Sequence, residues 1–188
     1  FWFKVLLTVF NIASIVLFWK LLKVLYPEKI KLRKFSVTIF TLLTTLPLLE
    51  GNIANAELFM LVPTITAFII LFGKNVTSKK IFFAGILFSM ASLFKIPAAF
   101  EAPAIVLYWI LLGGVNKKNI AAVFKKTSLL IAGFIIPIGL TLIWYAARGA
   151  LKEYIVAGFL QNVGYLSSWR PETKTVSFFE RNIPLFIR

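Results

Sequence analysis

The chain has 188 residues, is 60% hydrophobic with a mean hydropathy of +0.88, and carries a formal net charge of +14. Its acidic residues are all Glu, and it holds no His, Cys or Asp, which excludes imidazole or thiolate metal sites, Ser/His/Asp triads, thiol nucleophiles and disulfides. A soluble domain of this length cannot hide so much apolar surface, so the composition predicts an all-α, polytopic transmembrane helix bundle.

Apolar runs that reach or approach the roughly 20 residues of a membrane-crossing helix cover 5–26, 35–49, 58–72, 81–94, 97–112 and 127–147. They predict about six spans. The first run is too long for a signal-peptide core and is followed by no small-residue cleavage pattern. The second and third gain length if their helices extend to Arg33 and Ala54. The fourth and fifth are short and separated only by Lys95 and Ile96. They form either a hairpin whose tip lies below the membrane surface and lines a cavity or one segment bent at Pro97; length favours the hairpin. The start at Phe1-Trp2-Phe3-Lys4 and the apolar end at Pro184-Leu185-Phe186-Ile187-Arg188 read as an internal piece of a larger protein.

Basic residues fall in alternate loops: Lys29, Lys31, Arg33 and Lys34, then Lys74, Lys79 and Lys80, then Lys117, Lys118, Lys125 and Lys126. The positive-inside rule places these loops in the cytoplasm and the intervening ones outside. Lys20 and Lys23 lie in the inner third of the first span, within snorkelling reach of anionic membrane lipids. Asn75-Val76-Thr77 matches a glycosylation acceptor but falls in an inner loop, where it is a polar turn. The positive charges punctuate hydrophobic spans and form no continuous polar face, so they report membrane topology and no nucleic-acid partner. Residues 1–147 are read as the membrane domain. Residues 148–188, where Lys152, Glu153, Arg170, Glu172, Lys174, Glu180 and Arg181 stand among aromatics, are read as an amphipathic outer-side segment.

The outer loops then gather the candidate chemistry. Glu50, Asn52, Asn55 and Glu57 lie between two apolar runs, and carboxylates at a membrane boundary point to function. A helical loop would set Glu50 and Glu57 on one face about 10.5 Å apart along the axis. Gly51 and the two Asn argue instead for a turn that opens a helix near Ala54, with Asn52 or Asn55 as cap and Glu57 in a first turn favoured by the helix dipole. Lys95 either snorkels or meets an anion: Glu50, Glu57, Glu101 or a ligand phosphate. Glu101, between Pro97 and Pro103, faces protein or a water-filled cavity. Trp144, Tyr145, Tyr154, Phe159, Tyr165 and Trp169 form an interfacial belt or a groove for a lipid chain or sugar ring. Gln161, Asn162 and Tyr165 are the polar ligand contacts of that segment.

The order of these elements resembles a known family. A basic inner loop, then the stretch from Pro47-Leu48-Leu49-Glu50-Gly51-Asn52 through Asn55-Ala56-Glu57-Leu58-Phe59-Met60, then Gly85 to Lys95 followed by Pro97, is similar to the GT-C superfamily of membrane glycosyltransferases. Its closest branch is the bacterial protein O-mannosyltransferases and aminoarabinose transferases. The resemblance implies transfer of a sugar from a polyprenyl-phosphate donor to a lipid, glycan or protein acceptor on the outer side of a bacterial cytoplasmic membrane. It matches Glu57 to the acidic residue opening the helix after the second outer loop, with Glu50 a second catalytic candidate. It matches Lys95 to the basic residue ending the Gly-rich span, which holds phosphate. The family's principal carboxylate, usually an Asp, sits in a large outer loop that the resemblance places before Phe1. No cofactor is implied with certainty, and a divalent metal is left open. Two other readings stand beside this one: a transporter or flippase component with Lys95 and Glu101 as a charge pair on the substrate path, and a scaffold offering partner helices the small-residue surface from Gly133 to Gly139.

Overall fold

A computed structural model describes residues 2–47, 51 and 53–160. Among these the chain is all helical, with no strand: α1 (Trp2–Leu25), α2 (Ile30–Thr45), α3 (Ala56–Phe72), α4 (Ser78–Phe94), a 3-10 turn (Ile96–Phe100), α5 (Glu101–Gly113), α6 (Lys117–Ala147), α7 (Leu151–Ile155) and a π-turn (Val156–Leu160). Three helical stretches, Trp2–Leu25, Ile96–Gly113 and Lys117–Ala147, are long and apolar enough to cross a membrane, and Ala56–Phe72 is a shorter apolar helix. Among the described residues the helices follow the apolar runs, with the run 97–112 divided between the 3-10 turn and α5. α2 starts at Ile30, ahead of Arg33, and α3 starts at Ala56, two residues past Ala54.

The described chain divides into two compact units, Phe1–Leu142 and Ile143–Arg188. In the first, contacts between distant residues set the helix directions. Phe10 meets Phe59 edge-on at 5.0 Å, so the first half of α1 lies beside the start of α3. The Asn11 amide reaches the Thr44 carbonyl near the end of α2 at 2.8 Å, and Phe18 stacks on Phe40 at 4.4 Å. α2 therefore returns antiparallel to α1. Lys95 touches Glu57 at the start of α3, whereas Phe72 at the end of α3 meets Tyr108 of α5 at 5.0 Å. Those two contacts lie about 22 Å apart along α3 at 1.5 Å per residue. α5 thus comes back toward the end from which α4 set out. The break at Lys95, where the backbone is extended (φ −153°, ψ 122°) and Pro97 restarts a 3-10 turn, is a hairpin and not a kink.

The core of this unit draws on α3, α4, α5 and α6: Ala67, Leu71, Ile81, Ala84, Phe88, Ile105, Trp109, Val123 and Leu130. α4 and α6 approach to backbone contact. A Cβ at Gly85 would run into the Leu130 carbonyl, and one at Gly133 into the Phe82 carbonyl. Gly133 is thereby used within the chain, while Gly139 faces open space. Small residues permit this approach where lipid supplies no hydrophobic drive between helices.

The polar residues of the helices are largely satisfied by their own backbone. Thr38, Thr41, Thr44 and Thr45 of α2 each donate to a carbonyl one turn earlier, as do Thr8 and Ser14 of α1. At the end where α1 finishes and α2 begins, the Arg33 guanidinium lies 5.2 Å from the Trp19 ring and is buried. Lys80 donates to the carbonyls of Lys74 and Asn75, and Lys126 stands 5.3 Å from the Trp109 ring. Lys20, Lys23 and the three basic loops thus gather at one end of the unit, and the opposite end holds Glu57 and Lys95.

The second unit is described by itself. Arg148 stacks on Trp144 at 4.1 Å and Tyr145 stacks on Tyr154 at 4.4 Å. Gly149 takes a positive φ of 70°, a conformation open to glycine, where the chain leaves α6.

Candidate functional site

The site begins with two helix ends. Asn55 sits at the N-cap position of α3 with extended backbone (φ −83°, ψ 146°), and its side chain makes no capping hydrogen bond. α3 opens at Ala56, which puts Glu57 in the first turn, where a carboxylate is favoured by exposed backbone N–H groups. Lys95 is the C-cap of α4, its N–H bonded to the Ala91 carbonyl at 3.1 Å. Its ammonium is favoured there by the opposite pole of the helix. The α3–α4 pairing lays one end over the other, so the Lys95 ammonium donates to the Glu57 carboxylate.

Both partners stay accessible: the Lys95 side chain is 41% exposed and that of Glu57 51%. The neighbouring residues on the same two helices also pair: the rings of Phe59 and Phe94 stack at 6.0 Å, and Phe10 of α1 meets Phe59 edge-on. The pair is open and charged, with an aromatic cluster close to it in sequence on α3 and α4. Glu57 precedes the apolar run 58–72, and the hydrogen bond from Lys95 holds its carboxyl below the usual carboxylate range.

Lys95 therefore takes Glu57 from among the anions the sequence offered. Glu101 is the first residue of α5, half-buried, and no ion pair joins it to Lys95. The charge pair on which the transporter reading drew is not the one formed. Glu50, Asn52, Gln161, Asn162 and Tyr165 lie outside the described residues. Gly51 is buried, bonds its N–H to the Leu46 carbonyl at 3.0 Å, and has no room for a Cβ, which would stand 2.6 Å from the Thr45 carbonyl carbon. Its missing side chain lets its own backbone lie against the end of α2.

Sequence reasoning passed over Asn11. This amide is 7% exposed, on the face of α1 toward α2, and shares its end of the unit with Glu57 and Lys95. The signal was present: an amide inside an otherwise apolar run is costly in a membrane and points to function by the same rule that singled out the Glu residues. No group of three or more His, Cys, Asp or Glu among the described residues forms a metal-binding cluster.

Over the described residues, fold and site define an all-helical chain with three helical stretches of membrane-crossing length and a half-exposed Glu–Lys pair at the end away from the basic loops. Comparison with known proteins finds no matching family model, no matching curated protein and no matching solved structure.

Proposed function

We propose that the chain is the second half of a GT-C-like glycosyltransferase site, on a bundle of about six spans in a bacterial cytoplasmic membrane. The enzyme would move a sugar from a polyprenyl-phosphate donor to a lipid, glycan or protein acceptor on the side opposite the basic loops. The observation that carries this reading is the Glu57–Lys95 pair, an acid and a cation from different helices, mutually engaged and open to a ligand.

The chemistry is displacement at the anomeric carbon. The bond from that carbon to the phosphate oxygen breaks as a bond to the acceptor oxygen forms, and the acceptor's proton passes to a carboxylate. Lys95 leaves Glu57 to neutralise the departing phosphate, and Glu57, so freed, positions the acceptor or takes its proton. The aromatic cluster of Phe10, Phe59 and Phe94 suits the apolar flank of a sugar or the first prenyl unit of the carrier. The family's further carboxylate belongs, by resemblance, to a loop before α1.

Sugar transfer by the full-length protein at matched expression tests the roles. Glu57→Gln and Lys95→Met should each lower the rate by on the order of 10²-fold or more, the range for a positioned acid–base or electrostatic group. Wild-type rates in both variants would remove the assignment.

A further inference from the structure

Between the first half of α1 and the end of α2 lies a cavity of about 310 Å³, lined by Lys4, Leu7, Asn11, Ile12, Thr45 and Gly51 among others. Its polar lining has one character. Asn11 gives one amide N–H to the Thr44 carbonyl, and its Oδ1, buried, has no hydrogen-bond partner among the described residues. The hydroxyls of Thr8 and Thr45 give their protons to the carbonyls of Lys4 and Thr41, so they offer the cavity only lone pairs. Lys4 is exposed and makes no ion pair among the described residues. The walls thus present one buried acceptor in want of a donor, two further hydroxyl oxygens and one cation. The remaining lining, Leu7, Ile12 and Ile15, is apolar.

A group that satisfies these walls carries a negative charge, donates hydrogen bonds and continues into an apolar part. We propose that the cavity binds an anionic lipid with a hydroxyl-bearing headgroup: a hydroxyl donates to Asn11 Oδ1, Lys4 holds the anion, and Leu7 and Ile12 flank the chain. A buried acceptor left unmet is costly, and this ligand meets it. A choline headgroup, with no donor and no net negative charge, does not. The lipid source follows from the apolar walls and from α1, which is long enough to cross a membrane. The proposal holds whether or not sugar transfer is the activity.

The test reconstitutes the full chain in nanodiscs of phosphatidylcholine with a minor fraction of phosphatidylglycerol, and native mass spectrometry reads which lipid is retained. Wild type should keep phosphatidylglycerol, and Asn11→Leu and Lys4→Met should each lower that preference about tenfold, the worth of one good polar contact. Asn11→Leu also removes the bond to Thr44. Where that variant does not fold, Lys4→Met, altered only at an exposed side chain, carries the result. Equal retention of the two lipids by wild type, or undiminished preference in Lys4→Met, would overturn the site. Full displacement of the lipid by equimolar sn-glycerol 1-phosphate would overturn its assignment to a lipid.

Discussion

Gly85 and Gly133 are the points at which α4 and α6 touch backbone to backbone, each occupying the spot where a Cβ would strike a carbonyl of the other helix. Adding one methyl at either position forces the helices apart. Gly85→Ala and Gly133→Ala should each destabilise the fold by about 1–3 kcal/mol, as overpacking does. Gly139→Ala, with nothing near its Cβ, should leave it unchanged or slightly firmer. Detergent-solubilised thermal unfolding of the three variants checks the contrast, and equal melting for all would show that the close approach is absent.

The Glu57–Lys95 contact should matter far more to activity than to stability. An ion pair this exposed contributes no more than about 1 kcal/mol, so Glu57→Gln and Lys95→Met should melt close to wild type. A double-mutant cycle on unfolding measures the coupling. A coupling of several kcal/mol would make the pair a structural clamp and would explain lost activity without any role in chemistry.

The same pair predicts a pH response of fixed sign. Lys95 lowers the folded-state pKa of Glu57, so the stabilisation is fully present above the carboxyl's ordinary range and is lost as pH falls through the lowered value. Isotope-edited infrared spectroscopy of the Glu57 carboxylate should show it ionised below the ordinary range in wild type, and protonating nearer that range in Lys95→Met. No difference between the two proteins would place the charges apart in solution.

Sidedness follows from the segregation of basic residues. Single cysteines introduced at Asn55 and Lys118 should react with an impermeant maleimide from opposite faces of sealed vesicles, and the chain has no native cysteine to confuse the reading. Labelling of both from one face would contradict the positive-inside orientation and the outer placement of Glu57.

The helices were legible because each apolar run is bounded by charge or by turn residues that lipid does not admit. α6 is the instructive exception, since it begins at Lys117, ten residues before its apolar run. A helix needs propensity more than apolarity, and Lys, Ala and Asn in 117–126 continue it in a polar setting. The hairpin at Lys95 could be favoured from length but not decided, because its proof is the contact of Phe72 with Tyr108, a property of the fold. Which anion Lys95 chooses was equally hidden: Glu101 is six residues away and Glu57 thirty-eight, and only the pairing of α3 with α4 ranks them. Asn11 went unread because attention followed formal charge, whereas a neutral amide at the same depth also demands a partner.

The threonines of α2 carry a consequence for how this protein meets a bilayer. Thr38, Thr41, Thr44 and Thr45 turn their protons inward to the preceding turn, so none of the four hydroxyls has a proton left to offer its surroundings. A residue-by-residue hydropathy scale counts four alcohols along this helix, but Thr44 is buried and the other three hydroxyls meet their surroundings as acceptors alone. α2 is less polar in place than it is on paper, because the donors that composition charges against the short helix are already met within it.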